Sequence, residues 1–365
     1  MKKTALLHYW LTGMRGGEMV LSQFCNLLPD ADVFTHALLK NRISSDITSH
    51  QIRESFIARL PFGRSHCQKY LPLMPQALKG WNLTNYDLII SSESGPVKGI
   101  RKRQDACHIC YCHTPMRYLW DMYDFYYNST GIGGKIAMRL FKESLRHYDL
   151  MSAECVDEFI ANSEFVAERI KRIYGRESTV IHPPVDVDYF SNGPELERKF
   201  YLLAGQLVSY KRPDLVIEAF RKLPNQKLVV VGNGPMKKSL QKKAPANVSF
   251  VTSENRESMR ELYSSAKALL FPGIEDFGIV PVEAQAAGCP VVALNFGGTA
   301  ETVVDGVNGT HLQEQSVSAL LEAIEKNASG KWNKAVMLQY AEKFSVARFQ
   351  KQIKNFISSH AEICF

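Results

Sequence analysis

The chain has 365 residues, of which 45% are hydrophobic. This length favours two domains, because a single core stops growing beyond about 250 to 300 residues. The formal net charge is +7, and no apolar run approaches the roughly 18 residues of a membrane-spanning helix. The composition therefore predicts a globular protein with no transmembrane helix.

The first residues combine two lysines with an apolar stretch, as a signal peptide does. His8 interrupts that stretch and Arg15 follows without a small-residue cleavage site, so we predict a first β-strand instead. The eight cysteines lack the regular spacing of a disulfide framework. Both observations favour the cytoplasm as the compartment.

Short apolar runs alternate with helical patterns along the chain, which predicts parallel sheets built from βαβ units. The paired prolines of residues 182–190 predict a stiff, extended hinge between two halves. We therefore predict two Rossmann-like doubly wound α/β domains, 1–185 and 186–342, facing a cleft, then a C-terminal helix in 343–365 that can pack back on the first domain. The predicted strands are 4–9, 33–37, 87–91, 108–113 and 159–161 in the first half and 200–204, 227–231, 248–251, 268–271 and 290–293 in the second.

Residues 49–103 carry nine Lys and Arg side chains against three acids, interleaved with aromatic and aliphatic residues. This pattern suits an anionic membrane surface or a diphosphate-bearing lipid better than nucleic acid. A solvated face without a partner is equally compatible with it. The nine cations are Arg53, Arg59, Arg64, Lys69, Lys79, Lys98, Arg101, Lys102 and Arg103.

A cluster of Cys107, Cys110, Cys112 and His113 has the residue types of a zinc site. In a strand, however, Cys110 and Cys112 point to one face and Cys107 to the other. A second Cys-x-x-Cys pair that would close a tetrahedral site is missing from the sequence. We therefore predict buried free thiols and no metal.

Two carboxylates, Glu275 and Glu283, lie eight positions apart with a glycine and a proline between them. Such residues do not belong in a helix interior, so we predict a loop followed by a helix with Pro281 in its first turn. The amides of Gly278 and Ile279 would then point outward at a helix N-terminus, where a phosphate binds. Carboxylates accept hydrogen bonds from sugar hydroxyls, so the segment suits a nucleotide sugar. A loop charge and a solvated helix residue are the alternative.

Other glycine-rich or polar loops also follow predicted strands, where ligands of such folds bind. They contain Gly16 and Gly17, the segment from His113 to Trp120, residues 162–163, Gln206 with Lys211, and Gly232. Together with the Glu275 segment, these loops resemble the family-4 glycosyltransferases of the GT-B fold over nearly the whole chain. Residues 112–120 are most similar to bacterial mannosyltransferases that build O-antigen and related lipid-linked polysaccharides.

This resemblance implies retaining transfer of a sugar from a nucleoside diphosphate, without a metal or other cofactor. Glu283 would hold the donor ribose, while Glu275 and the backbone of Phe277, Gly278 and Ile279 would contact the donor sugar and diphosphate. Lys211 would neutralise charge on the leaving phosphate, and His113 would touch the donor sugar from the opposite domain. The other implied donor contacts are Gly16, Gly17, Gln206, Arg212 and Gly232.

Gln206 departs from the family pattern, which usually has an arginine at this position. An amide supplies no charge, so Arg212 or Arg15 would take over part of that role.

We therefore predict an enzyme that transfers mannose from GDP-mannose to a lipid-diphosphate-linked oligosaccharide at the inner face of the cytoplasmic membrane. A UDP-sugar donor is the first alternative, because the sequence of the loop 252–256, which is predicted to face the base, does not indicate which base is bound. A catalytically weak interaction subunit of a polysaccharide assembly complex is the second. Nucleic acid is not an expected partner.

Overall fold

The computed structural model of the protein describes residues 3–252 and 255–361. Cys364 and part of the loop predicted to face the base lie outside the described residues. The chain divides into two compact units, which we call the first unit (Met1–Pro184 with Phe349–Phe365) and the second unit (Val185–Arg348).

The first unit is built on a seven-stranded sheet in the order β3-β2-β1-β4-β5-β6-β7, with every pairing parallel. Helices are required between parallel strands and cover both faces, which explains why the central strands are buried along their length. The strands are β1 Thr4–His8, β2 Asp32–Thr35, β3 Ile52–Glu54, β4 Leu88–Glu93, β5 Cys107–Cys112, β6 Glu158–Ala161 and β7 Thr179–Val180. Its helices are α1 Gly16–Leu27, α2 Ser45–Thr48, α3 Met74–Leu78, α4 Tyr123–Ser129, α5 Ile132–Ala153 and α6 Glu164–Tyr174, with 3-10 helices at Lys40–Arg42, Phe56–Arg59 and Cys67–Leu73.

The second unit repeats this plan with a six-stranded parallel sheet in the order β10-β9-β8-β11-β12-β13. Its strands are β8 Phe200–Ala204, β9 Leu228–Val231, β10 Val248–Val251, β11 Ala266–Phe271, β12 Val291–Leu294 and β13 Gly309–Leu312. Its helices are α7 Val187–Ser191, α8 Pro213–Arg221, α9 Lys237–Lys243, α10 Arg256–Ser265, α11 Ile279–Ala286, α12 Thr299–Thr302, α13 Val317–Ser329 and α14 Lys334–Ala341, with 3-10 helices at Ser209–Lys211 and Glu342–Phe344.

The last helix, α15 (Val346–Ala361), returns the chain to the first unit. Its apolar residues recur every three or four positions and enter the core of that unit. The ring of Phe349 lies 5.8 Å from that of Phe24 and 5.9 Å from that of Tyr111. Gln350 adds a hydrogen bond of 2.9 Å to Gln23. The core of the first unit therefore needs residues from both ends of the chain.

The predicted fold class, two parallel-sheet α/β domains, is confirmed. All ten predicted strands are present, with ends within two residues of the prediction. The prediction missed β3, β7 and β13, which are edge strands of two to four residues. An edge strand pairs on one side only and needs no long apolar run, so the sequence pattern is weak there.

The prediction of an extended segment over residues 182–190 is wrong at its end, where α7 begins at Val187. Asp186 caps this helix, because its carboxylate accepts a hydrogen bond of 3.3 Å from the amide of Tyr189. The two prolines precede the helix and therefore do not oppose it.

Lys98, which the sequence analysis counted in a basic surface, is instead fully buried. Its ammonium lies 2.7 Å from Glu93 and 2.6 Å from Asp149, and the indole of Trp120 donates to the other oxygen of Asp149 at 2.8 Å. Burial opposes the charge, but Asp149 and Glu93 outweigh it and hold the pKa of Lys98 well above its usual value. This buried triad connects the end of β4 with helix α5.

Two further cations of the basic stretch are paired within the first unit. Arg103 lies 2.8 Å from both Asp87 and Asp105, and Lys102 lies 3.0 Å from Asp157. The prediction of a surface carrying all nine charges is wrong for Lys98, because that side chain is buried. Asp105 and Asp157 lie outside residues 49–103, so a charge count over that stretch did not include them.

Replacing Lys98 with methionine should lower the free energy of unfolding by about 3 to 5 kcal/mol, because Glu93 and Asp149 would stay buried without a counter-charge. Urea denaturation measures this loss, and Lys79→Met at an exposed position provides the control. The neutral triple variant Glu93→Gln/Lys98→Met/Asp149→Asn should recover most of the stability. An unchanged urea midpoint for Lys98→Met would contradict the triad's structural role.

Candidate active site

The segment between β11 and α11 is a loop that ends at a helix N-terminus, as its glycine and proline predict. Gly278 precedes α11 with φ of 96°, a left-handed conformation that favours glycine. Pro281 lies in the first turn, where a missing amide breaks no helical hydrogen bond. The first amides of a helix lack partners within it, so this turn has the backbone geometry that can bind an anion.

A second glycine turn, before α12, holds this loop in place. The amide of Gly298 donates a hydrogen bond of 2.8 Å to the carbonyl oxygen of Glu275. A Cβ at position 298 would lie 2.2 Å from Cα of Phe277, so only glycine allows this approach. The side chain of Phe277 is buried against Phe344 with ring centroids 5.3 Å apart. Phe277 can therefore offer a ligand its backbone only.

Lys211 comes from the turn after β8 and meets Glu275 directly. Its Nζ atom lies 2.6 Å from Oε1 of Glu275, and the two side chains are 21% and 14% exposed. The structure thus brings together two residues that are distant in sequence but were both predicted as site residues. They line a concavity together with Leu203, Ala204, Gly205, Gln206, Leu207, Pro213, Phe271, Pro272 and Gly273.

Gln206 and Arg212 flank Lys211 in the second unit. Gln206 is exposed and contributes an amide to the concavity. Arg212 has φ of 53°, which is rare for a residue other than glycine and recurs at functional sites. Its guanidinium lies 3.2 Å from Asp214, so its charge already has a counter-ion. Gly232 contacts the same turn, since a Cβ there would collide with the carbonyl oxygen of Gly205.

Glu283 lies in the second turn of α11, where its carboxylate accepts a hydrogen bond of 2.9 Å from the hydroxyl of Tyr263. Burial raises the pKa of Glu283 to about 7, against the opposing effects of the Tyr263 hydrogen bond and the positive charge of Arg256. A carboxyl group that resists ionisation in the folded protein is a common sign of a functional residue.

In the first unit, His113 follows β5 and its Nε2 atom lies 2.8 Å from the hydroxyl of Ser92 at the end of β4. Its amide donates to the carbonyl oxygen of Glu93 at 2.8 Å. Burial, and then the neighbouring His8, lower the pKa of His113 to about 3. The imidazole is therefore neutral near pH 7 and can form hydrogen bonds, but it supplies no positive charge.

Sequence reasoning missed His8 and Glu18, which lie beside His113. His8 ends β1, its ring centroid is 6.5 Å from that of His113, and its Nε2 atom is 3.8 Å from Oε1 of Glu18. Gly17 is close to this group, because a Cβ there would lie 3.4 Å from Cε1 of His8 and 3.6 Å from Nε2 of His113. The group lies where β1 neighbours both β2 and β4, the switch point at which such sheets bind ligands. A polar residue at the end of the first predicted strand was the signal that could have revealed it.

Two family models match consecutive parts of the chain. Glycosyltransferase Family 4 matches residues 14–189, and Glycosyl transferases group 1 matches residues 186–344. The chain has the fold of these glycosyltransferases.

Solved structures share this glycosyltransferase fold over almost the whole chain at low sequence identity. Anabaena HepE in complex with UDP and glucose has a TM-score of 0.71 and 18% identity, covering 98% of this chain and 100% of that one. Sucrose-phosphate synthase from Thermosynechococcus elongatus has a TM-score of 0.72 and 17% identity, with coverages of 98% and 99%. The lipopolysaccharide outer core galactosyltransferase WaaB has a TM-score of 0.66 and 17% identity, with the same coverages.

Curated relatives are similar over a shorter region. The D-inositol 3-phosphate glycosyltransferase of Mycobacterium sp. (strain JLS) is 31% identical over 196 residues, which are 46% of this chain and 44% of that protein. The Mycobacterium bovis protein of the same name is 28% identical over 193 residues, 46% and 40% of the two chains. The match thus spans less than half the length of these relatives.

The cysteines of β5 are packed as the strand alternation predicts. Cys110 and Cys112 are buried in one small core with Phe159, whereas Cys107 packs on the core at the other face of the sheet. Burial raises the pKa of the Cys112 thiol well above its usual value. The described parts of the chain contain no group of three or more His, Cys, Asp or Glu residues that could hold a metal ion.

Replacing Glu283 with glutamine should stabilise the ligand-free protein. Because its pKa is raised in the folded protein, ionised Glu283 lowers the free energy of unfolding. This loss of stability is complete above about pH 7 and absent below the unfolded pKa of about 4.3. We expect a gain of about 1 to 3 kcal/mol at pH 8 that disappears near pH 4. Urea denaturation at both pH values measures it, with Glu261→Gln at an exposed position of α10 as control. A gain of equal size at both pH values would rule out this electrostatic cause.

Proposed function

We propose that the protein is a retaining glycosyltransferase that moves a sugar from a nucleoside diphosphate to a lipid-diphosphate-linked oligosaccharide, with mannose from GDP-mannose as the leading donor. The observation that carries the proposal is the pairing of Lys211 with Glu275 at a concavity, four residues before α11 begins. A cation and a helix N-terminus suit a diphosphate, and a carboxylate suits sugar hydroxyls.

Lys211 would act on the leaving group. Transfer breaks the bond between the anomeric carbon of the sugar and the diphosphate, and negative charge grows on the diphosphate as that bond lengthens. The ammonium of Lys211 is held at the site by Glu275. When a diphosphate binds, Lys211 would stabilise it, and Glu275 would be released to accept hydrogen bonds from the donor sugar.

Glu283 would hold a part of the donor that does not react. Its carboxylate has Tyr263 as a hydrogen-bond donor and retains capacity to accept more. Two neighbouring ribose hydroxyls could each donate to it, which would favour the ionised form and lower the raised pKa of this residue. Donor binding would therefore relieve the unfavourable burial of this charge.

The identity of the donor has two candidates. GDP-mannose rests on the resemblance of residues 112–120 to mannosyltransferases that build lipid-linked polysaccharides. A UDP-sugar is supported by the likeness in fold to Anabaena HepE, solved with UDP and glucose and with UDP-glucose. A weakly active interaction subunit is supported by Gln206 alone, and the geometry of Lys211, Glu275 and Glu283 argues against it.

Thermal denaturation with GDP-, UDP- and ADP-sugars tests the donor assignment, because a ligand that binds only the folded state raises the melting temperature. At about 100 times its dissociation constant, the right donor should add about 2.7 kcal/mol to the stability. Absence of a shift with all three nucleotides would reject the proposed function, and a shift with UDP-sugars alone would replace mannose transfer by the second candidate.

The two charged residues should affect different kinetic constants. Lys211→Ala should lower turnover by roughly 10² to 10³, because its charge acts most strongly as the diphosphate leaves. Glu283→Ala should mainly weaken donor binding, since the carboxylate would contact the ribose equally before and during transfer. Steady-state kinetics with a labelled donor separates the two effects. Unchanged turnover for the first variant, or unchanged donor affinity for the second, would refute these roles.

A further inference from the structure

Helix α5 of the first unit exposes an apolar stripe to solvent. Ile132, Ile136 and Leu140 are 81%, 55% and 71% exposed. Residues four positions apart follow one another along one side of a helix, so these three side chains form a continuous stripe. Leu145 and Asp149 are buried on another side of the same helix. The packing of α5 on its unit therefore leaves the apolar side outward.

Exposed apolar side chains are concentrated on α4 and α5. Fourteen large apolar residues are exposed in the described parts of the chain, and seven of them lie on these two helices. Helix α4 has no buried residue, and its Phe125 is 48% exposed. A cluster of this kind on a folded unit marks an interaction surface, whereas single exposed residues do not. The seven residues are Phe125, Ile132, Ile136, Leu140, Phe141, Leu150 and Met151.

The charges around the stripe favour an anionic partner. Helices α4 and α5 together carry four cations, Lys135, Arg139, Lys142 and Arg146, against the acids Asp124, Glu143 and the buried Asp149. Lys135 lies over the ring of Tyr127 at 5.4 Å, and Lys142 lies over that of Tyr123 at 4.4 Å. Apolar residues flanked by Lys, Arg and Tyr are typical of helices that lie in a membrane interface. A second copy of the chain is a poorer partner, because an isologous contact would bring the same cations face to face.

Helix α5 has 22 residues, but Lys135, Arg139, Lys142 and Glu143 interrupt its apolar positions. Across residues 3–252 and 255–361, none of the helices combines the length and hydropathy needed to cross a bilayer.

We propose that α4 and α5 dock on an anionic lipid surface, with Ile132, Ile136 and Leu140 entering the apolar boundary and Lys135 and Arg139 binding headgroup phosphates. This deepens the proposed function, on which it rests for the lipid-linked nature of the acceptor. It also moves the membrane contact from the predicted basic stretch to a different part of the first unit. Asp149, held by buried Lys98, fixes the docking helix to the end of β4.

Co-sedimentation of the full chain with two kinds of vesicle tests the proposal: phosphatidylcholine alone, and phosphatidylcholine with an equal part of phosphatidylglycerol. Ile136→Ser/Leu140→Ser should weaken binding to the anionic vesicles by more than about tenfold, since two apolar side chains no longer enter the interface. The matched control is Leu196→Ser/Val304→Ser, which changes two exposed apolar residues of the second unit.

A second pair of variants tests the charges. Lys135→Gln/Arg139→Gln should weaken binding to the anionic vesicles by roughly 30-fold at low salt. The control Lys222→Gln/Lys238→Gln removes the same charge from exposed positions of the second unit and should leave binding unchanged.

Three outcomes would overturn the proposal: no binding of the wild-type protein to anionic vesicles, equal binding of the α5 and control variants, or light scattering that shows a dimer which only the α5 variants dissociate. The last result would assign the stripe to a second copy of the chain. The nucleotide-sugar thermal shift, measured on the same samples, separates this test from the proposed function. If no nucleotide sugar raises the melting temperature but vesicle binding is intact, the donor site is rejected and the docking surface is retained.

Discussion

Parallel strand pairing is the constraint on which both units depend. Parallel strands need long crossovers, so helices cover the sheets and the central strands must be apolar on both faces. Polar groups that serve a ligand are then restricted to the loops at the carboxyl ends of the strands. His113 follows β5, Lys211 follows β8 and Glu275 follows β11. The site residues of each unit therefore lie at the same edge of its sheet.

The protein buries charge in two ways with opposite consequences. Lys98 meets a carboxylate on each side, so its charge is compensated and the triad supports the fold. Glu283 accepts a hydrogen bond from a tyrosine hydroxyl, and burial raises its pKa despite the positive charge of Arg256. The first arrangement is complete without a ligand. The second becomes favourable when a ligand donates hydrogen bonds, which is the expected electrostatics of a binding residue.

The two sides of helix α5 have different roles in the first unit. Its inner side carries Asp149, which binds both Lys98 and the indole of Trp120. Trp120 belongs to the segment that begins at His113. Helix α5 therefore holds the loop after β5 in place through the hydrogen bond between Asp149 and Trp120. Its outer side carries Ile136 and neighbouring apolar residues. Asp149, Lys98 and Trp120 would thus connect a contact at the outer side of this helix to the edge of the sheet where His113 lies.

The sequence by itself determined the α/β fold class, ten strands and the loop before the helix that carries Glu283, because apolar runs and glycine and proline positions act locally on the backbone. Only the tertiary structure decided which charges are paired. Lys98 and Asp149 are 51 positions apart. His8, which pairs with Glu18, approaches His113 from another strand. Burial and Coulomb interactions depend on distances in space, and these distances exist only once the sheets have formed.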